Sequence, residues 1–311
     1  MQQIHKPLVS LVLGLLIAFS VSAQAQDQQP RFLSLTPPEG LPIIPVLEGW
    51  IANADGTISF SFGMINRNEE AVDIPIGANN YIEPAQHSGQ QPTHFPPGRG
   101  TGIFTVTVPN DQKEIDVWWH LVSSTGEDLK VPGRWGTSAY ELDFIRPRPQ
   151  GGMQPMVGIG ENGRQSAGLS AQIGDYPGGT VAVGDQVTIS VNVSDPSNRD
   201  SSDPRFSEPL DIGVEFNKWQ GPGNVEFARH ESTIVEENPY AETDRRFRFF
   251  REKKVNQAPV TGGSGTASVY ATFSEPGEYI ISTKVDNFSA PDSSNGDQCC
   301  WSNIYQRITV R

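Results

Sequence analysis

Thr57-Ile58-Ser59-Phe60-Ser61-Phe62-Gly63-Met64-Ile65 alternates small or polar residues with large apolar ones. A strand sends successive side chains to opposite faces, so Ile58, Phe60, Phe62 and Met64 share one face, and Thr57, Ser59, Ser61 and Gly63 the other. The expectation is a half-buried strand with one face in a core and one wet. Ahead of it, Ala54-Asp55-Gly56 tolerates the positive φ angles of a tight turn, and residues 46–52 complete a hairpin.

Working outward, the same period-two signal recurs. Further strands are expected at 71–75, 102–108, 115–123 and 139–145 in the first half, and at 180–193, 212–219, 225–230, 266–273, 278–285 and 305–310 in the second, with 156–159 as a short entering strand. The 31 glycines and 25 prolines, with no long helical periodicity, agree with many short strands joined by turns. The fold class expected is all-β, with two tandem β-sandwich domains. Residues 26–42 are a flexible lead-in, 43–149 the first sandwich, 150–179 a Pro- and Gly-rich linker, and 180–311 the second sandwich.

His5 and Lys6, an apolar run over 8–21 and Ala23-Gln24-Ala25 read as a signal peptide over 1–25, cleaved after Ala25. No cysteine stands just after that point, so neither a lipid tether nor a membrane anchor is expected, and the product is placed in the periplasm or outside the cell. Cleavage removes Lys6 and no acid, and 22 basic against 36 acidic residues leaves −14. That charge disfavours nucleic acid and anionic membranes as partners.

Two motifs carry a resemblance. Trp219-Gln220-Gly221-Pro222-Gly223-Asn224-Val225-Glu226-Phe227, followed by Ala271-Thr272-Phe273-Ser274-Glu275-Pro276-Gly277-Glu278-Tyr279, resembles the PKD-like immunoglobulin sandwich, in which a Trp precedes a Gly-Pro-Gly turn and a Phe-x-x-Pro-Gly-x-Tyr corner enters a core strand. The resemblance spans about residues 170–311. The whole chain also looks like a family of uncharacterised exported bacterial two-domain β-sandwich proteins, through Glu48-Gly49-Trp50, Asp73-Ile74-Pro75-Ile76-Gly77, Pro92-Thr93-His94-Phe95 and Cys299-Cys300-Trp301. This implies architecture and leaves activity open.

Cys299 and Cys300 are the only cysteines. In an oxidising compartment each can bond the other or a second molecule, and a vicinal disulfide is expected, with Trp301 stacked beside it; a reduced pair, an intermolecular link and a metal site are the alternatives. The connection 82–100 is long enough to suggest work, and His94 and Arg99 in it, with Trp301, are the candidate binding residues, a His87/His94 metal site being a weaker reading. Asp195, Asp200 and Asp203 in an acidic loop are weak calcium candidates, against a plain solvated loop; a second acidic loop holds Asp286, Asp292 and Asp297. The run 245–254 interleaves bases and aromatics, which fits a polyanion or an alternating strand with Phe247 and Phe249 inward.

No nucleophile elbow, phosphate loop or HExxH helix is present. The function expected is therefore an exported non-enzymatic binding or structural module, its partner an unknown protein or glycan and its oligomeric state open. The competing reading is a hydrolase or redox enzyme using the His94 loop or the Cys299-Cys300 pair. Convergence of Glu83, His87, His94 and Arg99 into one pocket would favour the enzyme, and their dispersal over the surface would favour binding.

Overall fold

The computed structural model describes residues 40–124, 126–142, 151–235, 237–250, 252–287 and 301–311. The signal peptide, its cleavage point and the Cys299-Cys300 pair lie outside these residues. The described residues form strands and short 3-10 turns, with no α-helix among them. The molecule is all-β.

In the first half, β1 (Ile44–Ala52), β2 (Ile58–Asn66) and β6 (Gly98–Val108) make one antiparallel sheet, in the order β1-β2-β6. A second sheet pairs β4 (Asn80–Glu83), β7 (Val117–Val122) and β8 (Asp128–Gly133). Between them a two-residue ladder joins β3 (Val72–Asp73) to β5 (His94–Phe95). The period-two residues of β2 do what the pattern requires: Phe60 and Phe62 enter a core with Phe104, Val106, Trp119 and Leu121. Phe62 stacks on Phe104 at 4.9 Å, and Trp119 meets Phe104 edge-on at 4.8 Å. Such offset and T-shaped pairs add about 0.5–1.5 kcal/mol each beyond the area they bury.

The opposite face of β2 is not wet. Ser59 and Ser61 are buried, because residues distant in sequence cover that face. Thr105, the partner of Ser61 in the ladder, donates to the Leu169 carbonyl, and Ile51, the partner of Ser59, packs on a cluster of Leu142, Leu169 and Trp301. The strand expected over 139–145 is likewise absent in its described part. Ser138–Tyr140 is a 3-10 turn, and Leu142 is drawn into the same cluster.

The second half has two four-stranded sheets. One joins β9 (Met156–Ile159), β11 (Gln186–Ser194), β14 (Ser264–Phe273) and β13 (Val225–Arg229); the other joins β10 (Gln172–Asp175), β16 (Trp301–Val310), β15 (Gly277–Asp286) and β12 (Gly213–Gln220). Sequential strands thus divide as A, B, E, D against A′, G, F, C, which is the immunoglobulin arrangement. The Phe-x-x-Pro-Gly-x-Tyr corner takes its expected place: the Tyr279 hydroxyl donates to the Glu275 carbonyl at 2.9 Å and accepts from the Gly223 amide at 3.0 Å. Gly221 has φ +138°, and a Cβ there would run into the Tyr279 ring, so both backbone and space demand glycine. Val191, Phe216, Tyr279 and Ile308 lie in the core between the two sheets.

The basic run 245–254 does not form a strand. Phe247–Phe249 is a 3-10 turn with Phe249 exposed, since Asp244 and Asn238 hold the local chain in tight turns.

The described residues belong to one compact unit. The physical reason is a shared seam. Trp219 and Tyr305, from β12 and β16, belong to the core of the first half, with Trp219 at 6.0 Å from Phe104 and 5.1 Å from Tyr305. Burying aromatics of this size is worth up to about 4–6 kcal/mol each.

Candidate functional site

Three strand ladders slip register, and two of the slips, on β6 and β12, fall at residues that line one cleft. On β1 the shift falls between Leu47 and Gly49; between β2 and β6 it falls after Phe62, leaving Thr101, Gly102 and Ile103 out of the ladder; on β12 it falls between Lys218 and Gln220. Bulges bend a strand and re-aim side chains, and they concentrate beside binding and catalytic sites. Here they turn Glu48, Thr101 and the consecutive pair Lys218 and Trp219 toward the seam.

The loop between β4 and β6 forms the opposing wall, held by buried amides. Asn80 donates to the carbonyls of Ile74 at 2.9 Å and Pro92 at 2.7 Å, and its own Oδ1 accepts from the Trp119 indole at 3.2 Å. Gln91 donates to the Asn80 carbonyl and accepts from the Gly89 amide. The loop is then tied to β12: the Thr93 amide donates to the Trp219 carbonyl at 2.9 Å, and Gln220 donates to the carbonyls of Gly89 and Gln91 at 3.0 and 2.8 Å. The long connection of the sequence is thus an ordered clamp across the seam.

The resulting cleft has a volume of about 100 Å³. His94, Pro96, Pro97 and Arg99 line it from the loop, and Thr101 to Ile103 from the bulge of β6. Lys218, Trp219, Ser282, Lys284 and Asn303 line it from β12, β15 and β16, and Lys254 reaches it from the connection after β13. Lys218 is the deepest cation: its side chain is 2% exposed and its Nζ donates to Asp73 Oδ1 at 3.3 Å. His94 Nδ1 lies 2.8 Å from the same oxygen. Burial works to raise the Asp73 pKa, but the hydrogen bonds and charges of His94 and Lys218 outweigh it, and the net shift is downward.

Arg99 grips Glu48 with Nη2 at 3.2 and 3.1 Å from its two oxygens. Glu48 is 3% exposed at its side chain, and burial holds its carboxyl above the ordinary range despite the pull of Arg99 and Lys284. The neighbouring Gly63 makes room for it, because a Cβ there would occupy the place of Glu48 Oε1 and stand 2.7 Å from the Gly100 carbonyl.

Of the residues singled out in sequence, His94 and Arg99 meet at the cleft. Glu83, His87, His94 and Arg99 do not converge into one pocket. Glu83 Oε2 pairs with His120 Nε2 at 3.3 Å on the outer sheet, and His87 is buried beside Gln86, its pKa pushed down by desolvation. Among the described residues the His94 ring hydrogen-bonds Asp73 alone. Trp301 is 1% exposed and packs under Leu142 and Leu169, so it supports the β6 bulge from behind and does not line the cleft.

Each aspartate of the acidic loop serves its own turn. Asp195 accepts from Ser197 and Arg199, Asp200 from Ser202, and Asp203 from Arg205, which holds the Asp203 carboxyl down at about 2. No group of three or more His, Cys, Asp or Glu side chains placed to hold a metal ion occurs among the described residues.

Lys218 and Lys284 were missed from the sequence. A signal existed for Lys218, since Val214-x-Phe216-x-Lys218 sets a lysine on the apolar register of a strand.

No family model matches the chain, and no curated protein matches it. Among solved structures it is similar to the CARDB domain of PF1109 from Pyrococcus furiosus at 12% identity, over 51% of this chain and 97% of that one, with a TM-score of 0.22. It is also similar to an ASH/PapD-like domain of human CEP192 at 11% identity, over 53% and 91%, with a TM-score of 0.25. A third is the D0-D1 domain of Intimin, at 12% identity over 86% and 96%, with a TM-score of 0.19.

Proposed function

We propose that this is an exported, non-enzymatic binding protein that holds its ligand in the cleft between the two sandwich halves. The observation that carries the reading is that two of the three register slips of the described ladders, on β6 and β12, line that cleft, while the third, on β1, sets Glu48 behind it against Arg99. Each slip gives up ladder hydrogen bonds, and regular strands serve the cores elsewhere in the molecule. A site on rigid strands, with its opposing wall clamped by buried amides, is preorganised and loses little entropy when a ligand enters. Export follows from the reading of residues 1–25 as a signal peptide, and periplasm or exterior is the proposed compartment.

The test is a ligand screen against the full chain and a cleft-plugged variant, Ser282→Trp, using sugars, peptides and small organic acids read by ligand-observed NMR. Ligands that bind the parent chain and are lost on plugging support the reading. If every ligand found binds both chains equally, or none is found in any class, the cleft is not the site.

A further inference from the structure

We propose that the ligand presents an oxyanion, a carboxylate, sulfate or phosphate ester group, and that this group seats against Lys218 with Arg99, Lys254 and Lys284 around it. The inference rests on the cleft being the binding site and adds the chemistry of what enters.

The first support is charge placement. The chain carries 36 acidic and 23 basic residues, yet the cleft lining holds four permanent cations and one carboxylate, Glu215, which accepts from Gln257 at 3.5 Å. Two further carboxylates, Glu48 and Asp73, stand behind the lining and grip Arg99 and Lys218. Counting all three, the cations still exceed the anions. A positive cleft in a negative molecule focuses field lines and draws small anions to one place.

The second support is depth. Lys254 and Arg99 are exposed at the rim, Lys284 is partly covered, and Lys218 is buried at the floor. An ammonium group removed from water carries a desolvation cost of several kcal/mol unless it is well paired. Lys218 Nζ has three donors, and among the described residues its one hydrogen bond is the 3.3 Å contact to Asp73, an oxygen it shares with His94. An oxyanion with two or three acceptor oxygens completes that set and opposes its charge, whereas a neutral ligand can accept the hydrogen bonds but leaves the charge unanswered. Asp73 and Glu48 then act as positioning residues that aim the cations.

The experiment is isothermal titration of the full chain at low ionic strength with sulfate, inorganic phosphate and D-glucuronate, and with D-glucose as the neutral control. The expected result is saturable one-to-one binding of at least one of the three anions and none of glucose. Lys218→Met is expected to weaken it by about tenfold or more, and the exposed Lys254→Gln, which leaves the fold intact, by about threefold. Arg246→Gln, whose parent guanidinium sits on Asp244 away from the cleft lining, leaves affinity unchanged. Asp73→Asn is expected to tighten anion binding, a direction that a merely structural role would not produce.

Sulfate or phosphate binding without glucuronate points to a tetrahedral ester; glucuronate alone points to a carboxylate. Anion binding indifferent to both Lys218→Met and Lys254→Gln overturns the proposal. Neutral ligands lost on Ser282→Trp, with no anion bound, also overturn it while leaving the cleft as a binding site.

Discussion

The interior of the immunoglobulin-like half and the seam between the halves are built from the same kind of strand to opposite ends. In the interior, β11 and β14 pair over nine consecutive residues without a slip, and apolar groups such as Val191, Val269, Phe216 and Ile308 fill most of the space between the sheets, with no charged side chain among them and with Ser190, Ser268, Thr283 and Gln306 as buried polar groups. At the seam the strands slip, and polar groups go under: Glu48, Asn80, Gln91, Lys218 and Asn303 are all buried. An apolar interior is satisfied by any neighbours of suitable volume, whereas each buried polar group demands a partner at one distance and angle. Regular ladders make stability, and slipped ladders with buried polar groups make a site.

The largest effect should come from cutting the tie between the two regions. Trp219→Ala is expected to cost about 3–5 kcal/mol, as other buried Trp truncations do. Urea unfolding followed by fluorescence and by circular dichroism should then give separate midpoints for the two halves, where the parent chain gives one. Coincident midpoints in the variant would mean that the seam contributes nothing to their coupling.

Glycine substitutions compare the regions directly. Gly63→Ala and Gly221→Ala each place a methyl group where another side chain already sits, at an expected cost of about 1–3 kcal/mol by chemical denaturation. Their consequences should diverge: Gly63→Ala displaces Glu48 and releases Arg99, changing ligand affinity, whereas Gly221→Ala disturbs Tyr279 and leaves affinity as it was.

Tyr279→Phe removes the corner hydroxyl and its two hydrogen bonds, for an expected loss of about 1–2 kcal/mol in the same assay and no change at the cleft. Less again is expected from acid. The Asp73 pKa is lowered in the folded chain, so its contribution is present above the unfolded value of 3.8 and is lost as pH falls through the depressed value. Asp73→Asn should therefore flatten the acid limb of stability below about pH 4 in pH-dependent denaturation. A limb of unchanged steepness would assign the acid sensitivity to other carboxylates.

How much of this was legible in the sequence follows the same division. Alternation located β2, β6, β11, β14 and β15, and the Gly-Pro-Gly turn with its downstream tyrosine placed the corner of the immunoglobulin-like half. The strands Asn80–Glu83, His94–Phe95, Asp128–Gly133 and Gln172–Asp175 escaped, being short and bearing polar residues where a period of two would show. The serine face of β2 read as wet because local alternation carries no information about Leu169 or Trp301 arriving from elsewhere in the chain. His94 and Arg99 were found through the length of their loop. Lys218 and Lys284 were not: the apolar register of its own strand marks Lys218 as inward, but that both lysines face one cleft is a relation between strands that neither strand alone records.

One contact sets an order of events. Asn303 donates to the Gly102 carbonyl across 201 positions of chain, and β16 lies between β10 and β15 while its side chains also close the outer face of the first sheet. Contacts of such separation are assembled late, after the entropy of closing a long loop has been met, and they place β-rich chains among the slower folders. β16 carries Ile304 and Ile308 into the core of the immunoglobulin-like half and Tyr305 into that of the first half, so neither core is complete and the bulge of β6 has no backing until β16 arrives. The cleft therefore takes shape together with the cores it lies between, and a chain in which β16 has not docked would have neither a finished immunoglobulin-like half nor a place to bind.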